Sequence, residues 1–261
     1  MPAPAGFLGQ SVSVRPYPVE YTQEIQSGSA PTDSVQYRYR QSDEERLRRE
    51  LSVLETEHGS DQPETLHTLS ELGVVLLYQG RYKSAEEIIW RLVKARQNVN
   101  GNSHDNTLKA LDLLGQVFQF QGLYHKAEKV HRPTSEARRA TLGYEHISTL
   151  DSMSHLASTY WSQGRWKEAE ELQVQVLEAC KRVLGDEHPD TLTSIHNLAF
   201  TYREQGRWRE AVALMSDTVK LSRIVIGPDH PDTLVSEQTL ERWQDEGETG
   251  STVEQPNAMV V

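Results

Sequence analysis

The chain carries ten histidines and one cysteine, and histidine is the side chain best suited to acid–base or metal chemistry near neutral pH. Four of them, His104, His146, His188 and His230, recur at one fixed spacing. A catalytic imidazole needs a nucleophile or carboxylate gathered around it, whereas a repeated residue occupies equivalent, separated places. These four therefore read as loop-packing or helix-capping residues. His155 and His196 stand outside that series and fall on helices near an expected binding surface, which makes them contact candidates. Cys180, among Val176, Leu177 and Val183, reads as a small buried hydrophobe. Glu168, Glu170 and Glu171 share a helix surface with Arg165 and Lys167, a solvated pattern.

The motifs that would signal other chemistry are missing. No H-E-x-x-H pairs two histidines for a metal, and no G-x-x-x-x-G-K-[ST] or G-x-G-x-x-G offers a phosphate cradle. No G-x-S-x-G presents a nucleophile. The sequence thus predicts no enzyme, no catalytic residue, no metal, no cofactor and no small-molecule substrate. A formal net charge of -11 argues against nucleic acid or an anionic membrane as partner. One cysteine excludes an intramolecular disulfide framework. No stretch approaches the ~20 apolar residues that span a bilayer, and the N-terminus lacks a charged region followed by a long apolar run. A soluble, cytoplasmic protein is expected.

The elements that must position these residues appear when the chain is aligned with itself. Thr-Leu pairs fall at Thr65-Leu66, Thr107-Leu108, Thr149-Leu150, Thr191-Leu192 and Thr233-Leu234, a step of 42 residues. The same step links Gly80, Gly122, Gly164 and Gly206, each followed by an aromatic at Tyr82, Tyr124, Trp166 and Trp208. It also links Gly59, Gly101, Gly143, Gly185 and Gly227, and Ala85, Ala127, Ala169 and Ala211. Within one unit, Leu192, Ile195, Leu198, Ala199 and Tyr202 recur at helical spacing, which predicts helix A over about 190–204. Gly206 supplies a left-handed turn, and helix B follows over about 208–224. Gly73, Gly115, Ala157 and Ala199 on helix A, with the helix B alanines, let the paired helices approach closely.

This pattern of L-G/A, an aromatic, G-x-Y/W and an alanine resembles the tetratricopeptide repeat. The step of 42 residues, with G-x-x-H-P-D-T-L at Gly185–Leu192 and Gly227–Leu234, resembles the longer variant of kinesin light chains and of similar fungal arrays. The resemblance implies an all-α fold: an α-solenoid of antiparallel helix pairs in a tetratricopeptide-like right-handed superhelix, its A helices lining a concave, peptide-accepting groove. The array is expected over residues 43–246. It comprises a remnant helix at 43–58, repeats at 63–104, 105–146, 147–188 and 189–230, and a capping helix at 231–244. Residues 1–41 and the acidic tail 245–261 are expected to be disordered. Pro133 falls inside helix B of the second repeat, where a lost backbone bond predicts a bend or break.

Helical phase points one set of A-helix residues toward the groove: Lys109, Asp112, Gln116, Asp151, His155, Trp161, His196, Asn197, Phe200 and Arg203. In kinesin light chains the corresponding face carries paired asparagines that hold a peptide backbone. Here Asn197 alone matches, beside His196. Trp161, Phe200 and Arg203 are residue types that anchor interfaces, or aromatics that fill space between A helices. A non-catalytic scaffold binding a protein or peptide in the groove is the leading expectation. The alternatives are a sensor array, as in fungal NTPase-linked immunity-like proteins, and an accessory protein of a metabolic pathway.

Overall fold

The computed structural model describes residues 41–251, with side chains through residue 246. Residues 1–40 and 252–261, where disorder is expected, lie outside that range. Ten helices make up the described chain: α1 (Gln41–Glu57), α2 (Pro63–Tyr78), α3 (Tyr82–Asn100), α4 (Asp105–Phe120), α5 (Tyr124–Leu142), α6 (Ile147–Ser162), α7 (Trp166–Val183), α8 (Pro189–Glu204), α9 (Trp208–Val225) and α10 (Pro231–Ser251). Each packs on its neighbours in the chain, and α4 also touches α2 and α6. That nearest-neighbour pattern is a solenoid of helix pairs, with α2, α4, α6 and α8 as A helices and α3, α5, α7 and α9 as B helices.

The repeated residues explain why the chain turns where it does. Helix A ends at a glycine in the left-handed region, as at Gly206 with φ 77°. There the amides of Gly206 and Arg207 reach back to the carbonyls of Arg203 and Tyr202, at 2.9 and 2.8 Å. Between units the threonine hydroxyl closes the loop: Thr65, Thr107, Thr149, Thr191 and Thr233 each donate to the carbonyl of the preceding glycine at 2.8 Å. The histidines cap helices. Nδ1 of His104, His146, His188 and His230 accepts from a backbone amide two residues on, at 3.1–3.2 Å.

A second repeated device ties consecutive units together. Glu128 accepts from Gln163 and Arg165, both at 2.9 Å. Glu170 accepts from Gln205 at 2.8 Å and Arg207 at 2.6 Å. Glu86 accepts from Gln121 at 2.8 Å, and the arginine position there is Leu123.

Two expectations are corrected. The break expected at Pro133 is absent, because helix α5 runs continuously through it. Proline still removes one intrahelical bond, but Thr134 Oγ1 donates to Val130 O at 2.7 Å and Ser135 Oγ to Arg132 O at 2.9 Å, supplementing carbonyls around the gap. Helix α5 is also held on both sides by α4 and α6. At the C-terminus α10 continues to Ser251, past the expected end at 244. Its extra turn is tied to α8 by Arg203, whose guanidinium meets Glu246 at 3.0 Å.

The apolar core is continuous from Leu47 on α1 to Ala127 on α5. Beyond that it divides into smaller clusters around Met153 and Val176, Leu156 and Tyr160, and Met215 and Trp243. The interruption falls at the junction of the second and third units, where the buried residues are polar.

Candidate functional site

Three consecutive A helices, α4, α6 and α8, carry the residues that helical phase points toward the groove. Lys109 is exposed and pairs with Asp105 one turn earlier at 2.9 Å. Asp112 and Gln116 are 5% and 6% exposed, so they join helices rather than line open surface. Gln116 Nε2 meets His155 Nε2 at 2.9 Å, and Ser152 Oγ donates to Asp112 Oδ2 at 3.2 Å. Gln119 extends the seam, donating to Thr159 Oγ1 at 2.9 Å. Asp151 is different. It is half-buried, and among the described residues no hydrogen bond or ion pair reaches its carboxylate. Burial first, and then the neighbouring carboxylates of Asp190 and Asp112, push its pKa up to about 6.

Beneath this seam lies a buried ionic node. Arg138 of α5, 1% exposed, forms an ion pair with Asp112 Oδ2 and a 3.2 Å contact with Asp105. It also bonds Ser152 Oγ and, at 3.1 Å, the carbonyl of Ser148. His131, fully buried on the same helix, meets Asp112 Oδ1 through Nδ1 at 3.4 Å. His155 Nδ1 lies 4.0 Å from the same oxygen, and the two imidazoles stack with centroids 5.4 Å apart. Burial would raise the Asp112 pKa, but the His131 hydrogen bond and the Arg138 charge hold it below the usual carboxylate range. Burial pushes His155 down to about 4, so it is neutral at pH 7. Ser152 donates to a carboxylate and not to an imidazole, so the node forms no nucleophile–base pair of the kind that acyl transfer needs.

The groove residues nearer the C-terminus are engaged within the fold. His196 is buried, 3.5 Å from Ser236 Oγ, and its ring lies 4.9 Å from that of Phe200. Phe200 meets Trp243 of α10 edge-on at 5.0 Å. Arg203 stacks over Trp208 and Trp243 at 5.7 and 5.5 Å. The last helix thus occupies this end of the A-helix face. Trp161 is half-buried against the Leu156–Tyr160–Ala169 cluster, and Asn197 is half-buried on α8. On the B-helix side, a cleft of about 280 Å³ between α5, α6 and α7 has Arg132, Arg139, Glu168 and Leu172 among its walls.

Comparison with known proteins places this geometry. One form of the tetratricopeptide repeat pattern matches residues 65–106, and another matches 106–180 and 148–224. The chain belongs to the tetratricopeptide repeat family. Among solved structures, the array is similar to a Podosopora anserina kinesin light chain with nearly identical tetratricopeptide-like repeats. That match has 25% identity and a TM-score of 0.60, covering 78% of this chain and 92% of that one. BtubC from P. vanneervenii matches at 15% identity and a TM-score of 0.59, over 84% of this chain and 94% of its own. The apo form of RapI matches at 14% identity and a TM-score of 0.60, over 78% and 70%. No curated protein sequence matches the chain. Tetratricopeptide arrays as a class serve protein interaction. No described helix of this array is long and apolar enough to cross a membrane.

Sequence reasoning missed His131, Arg138 and Ser152 as partners of Asp112, and Trp243 as the most voluminous fully buried side chain among the described residues. A signal for the first was available in the repeat. The positions equivalent to His131 hold Ile89, Gln173 and Met215, and an imidazole there is an exception among core residues.

Proposed function

We propose that this tetratricopeptide array is a non-catalytic protein-interaction scaffold, which binds an extended peptide or a helix along its A helices with a basic side chain set against Asp151. The observation that carries the reading is the unpaired, half-buried Asp151 carboxylate. Leaving such a charge without a partner is costly, and its raised pKa records that cost. A lysine or arginine from a partner would satisfy it. Lys109 on α4, the exposed edge of His155 and Trp161 on α6, and Asn197 on α8 supply the remaining contacts along the A helices. The engaged end at Phe200 and Arg203 limits the open stretch to the middle units.

Selection from a displayed library of random peptides tests this reading. Enriched peptides should carry lysine or arginine, and Asp151→Asn should weaken them by about tenfold at unchanged helicity, the scale of one lost charged hydrogen bond. Enrichment of peptides without basic residues, or affinity unmoved in Asp151→Asn, would sink it.

A further inference from the structure

The ionic node contains more ligating atoms than its hydrogen bonds use. One atom each of Asp112, His131 and His155 lies within 4.8 Å of the other two. Three buried polar atoms in this cluster find no hydrogen-bond partner in the protein: His131 Nε2, His155 Nδ1 and Gln116 Oε1. Each orphan of this kind carries a desolvation cost, and three at one point need an explanation. We propose that Asp112, His131 and His155 form a binding site for one divalent transition-metal ion of the Zn²⁺ class.

The distances suit that ion. Tetrahedral Zn²⁺ with bonds of about 2.0–2.1 Å sets its ligand atoms roughly 3.3–3.4 Å apart. Asp112 Oδ1 is 3.4 Å from His131 Nδ1 and 4.0 Å from His155 Nδ1, so a rotation of one exposed-edge imidazole closes the site. Two imidazoles with one carboxylate is a borderline donor set, and it selects Zn²⁺, Co²⁺ or Ni²⁺ over Mg²⁺ or Ca²⁺.

The surroundings orient the ligands. Arg138 and Ser152 occupy Asp112 Oδ2, which leaves Oδ1 to face the histidines. The Gln116 amide sits against His155 Nε2. With the amide oxygen turned to that nitrogen, Nε2–H donates to it, and Nδ1 presents a bare lone pair toward Asp112. This is how ligating histidines are held in their tautomer. The ion then engages His155 Nδ1 and the turned amide engages Gln116 Oε1, while the Gln116 NH2 takes the place that Oε1 held and the His131 proton lies on Nε2. Bound charge would be balanced by Asp105, against Arg138, and by the unpaired Asp151. His155 keeps 13% of its side chain exposed, which provides a route in and leaves a fourth position for water. The site occurs in one unit only. At the positions equivalent to His131 and His155 the other units hold Ile89, Gln173 and Met215, and Glu71, Leu113 and Asn197.

The test uses the full chain, stripped with a chelator and titrated with Co²⁺ and then Zn²⁺. One equivalent of Co²⁺ should bind and develop the intense visible bands of a four-coordinate ion, and Zn²⁺ should bleach them. Zn²⁺ should also raise the melting temperature of the stripped protein. His155→Gln and His131→Gln should each weaken binding by about tenfold or more, since each removes a ligand outright; the third unit already carries glutamine where His131 stands, at Gln173. Circular dichroism confirms that both variants are helical. Absence of Co²⁺ uptake by the wild-type chain overturns the proposal. So does uptake that either variant leaves unchanged, which would place the ion on the exposed capping histidines.

Discussion

Residue 115 has no side chain because the His131 ring occupies the space that a Cβ would need; a methyl there would lie far inside contact distance of its Cε1, Nε2 and Nδ1. Gly73 stands in the same relation to Ile89, where an added Cβ would come within 2.6 Å of Cγ1. At the equivalent positions of the third and fourth units the small residue is alanine, and its counterpart on helix B is the unbranched Gln173 or Met215. The shape of the B-helix side chain thus sets which small residue helix A tolerates. Gly115→Ala should cost about 1–3 kcal/mol in urea unfolding, the usual range for overpacking. The double variant Gly115→Ala/His131→Gln should lose less than the two single variants added together. Simple additivity would mean that the ring does not set this constraint. Asp151 gives a second prediction at this scale. Its pKa is about 6 in the fold against 3.8 as the reference value, so the folded state holds the proton more tightly. The sign follows: stability is fullest below pH 3.8 and falls as pH rises through about 6. Asp151→Asn removes that loss and should stabilise the protein at pH 7 by about 1–3 kcal/mol. Chemical denaturation across pH 4–8 checks it, and a variant less stable than wild type at pH 7 contradicts it.

The helices were the most legible part of the chain, because each boundary rests on local chemistry. The glycine turns, the threonine that closes each loop and the capping histidine recur at one step, and each acts within a few residues of its own position. The two errors came where distant contacts outweigh local preference. Pro133 breaks helices in isolation, but α5 is clamped between α4 and α6 and its neighbouring hydroxyls reach the carbonyls around the gap. The end of α10 is set partly by Arg203 on another helix. The glutamate–glutamine–arginine clamp also recurs at the repeat step, yet its meaning needs the units stacked, since Glu128 and Arg165 sit on different helix pairs. Pro133 therefore carries a cost that packing tolerates but does not remove. Restoring the amide in Pro133→Ala should stabilise the array by about 1–2 kcal/mol, below the full ~3 kcal/mol of a proline in an unsupported helix. A urea midpoint that rises at constant slope is the expected readout; an unchanged or lower midpoint would show that the hydroxyls already compensate in full.

At the scale of the whole molecule, the repeat concealed the site as efficiently as it displayed the fold. A strict period directs attention to what recurs, whereas the ionic node is built largely from residues that depart from it: Asp112, His131 and His155, where the other units carry different side chains. Their convergence depends on the stacking of the second unit on the third, which no local spacing encodes. The same stacking divides the array mechanically. One apolar cluster joins α1 to α5, while the units beyond the node rely on three smaller clusters, the last of them built around Trp243. In a solenoid, stability is a sum of unit and nearest-neighbour terms, and so the two sides of the node should open separately. Native-state hydrogen exchange should show α2–α4 protected longest and α8–α10 released first, as regions of differing local stability. Trp243→Ala, which empties a fully buried site between Phe200 and Trp208, should cost about 3–5 kcal/mol. That loss should appear as faster exchange confined to the helices beyond α6, with the protection of α2–α4 unchanged. Exchange that accelerates equally along the whole array would mean that the polar junction transmits stability as well as an apolar one does, and that the node is no boundary.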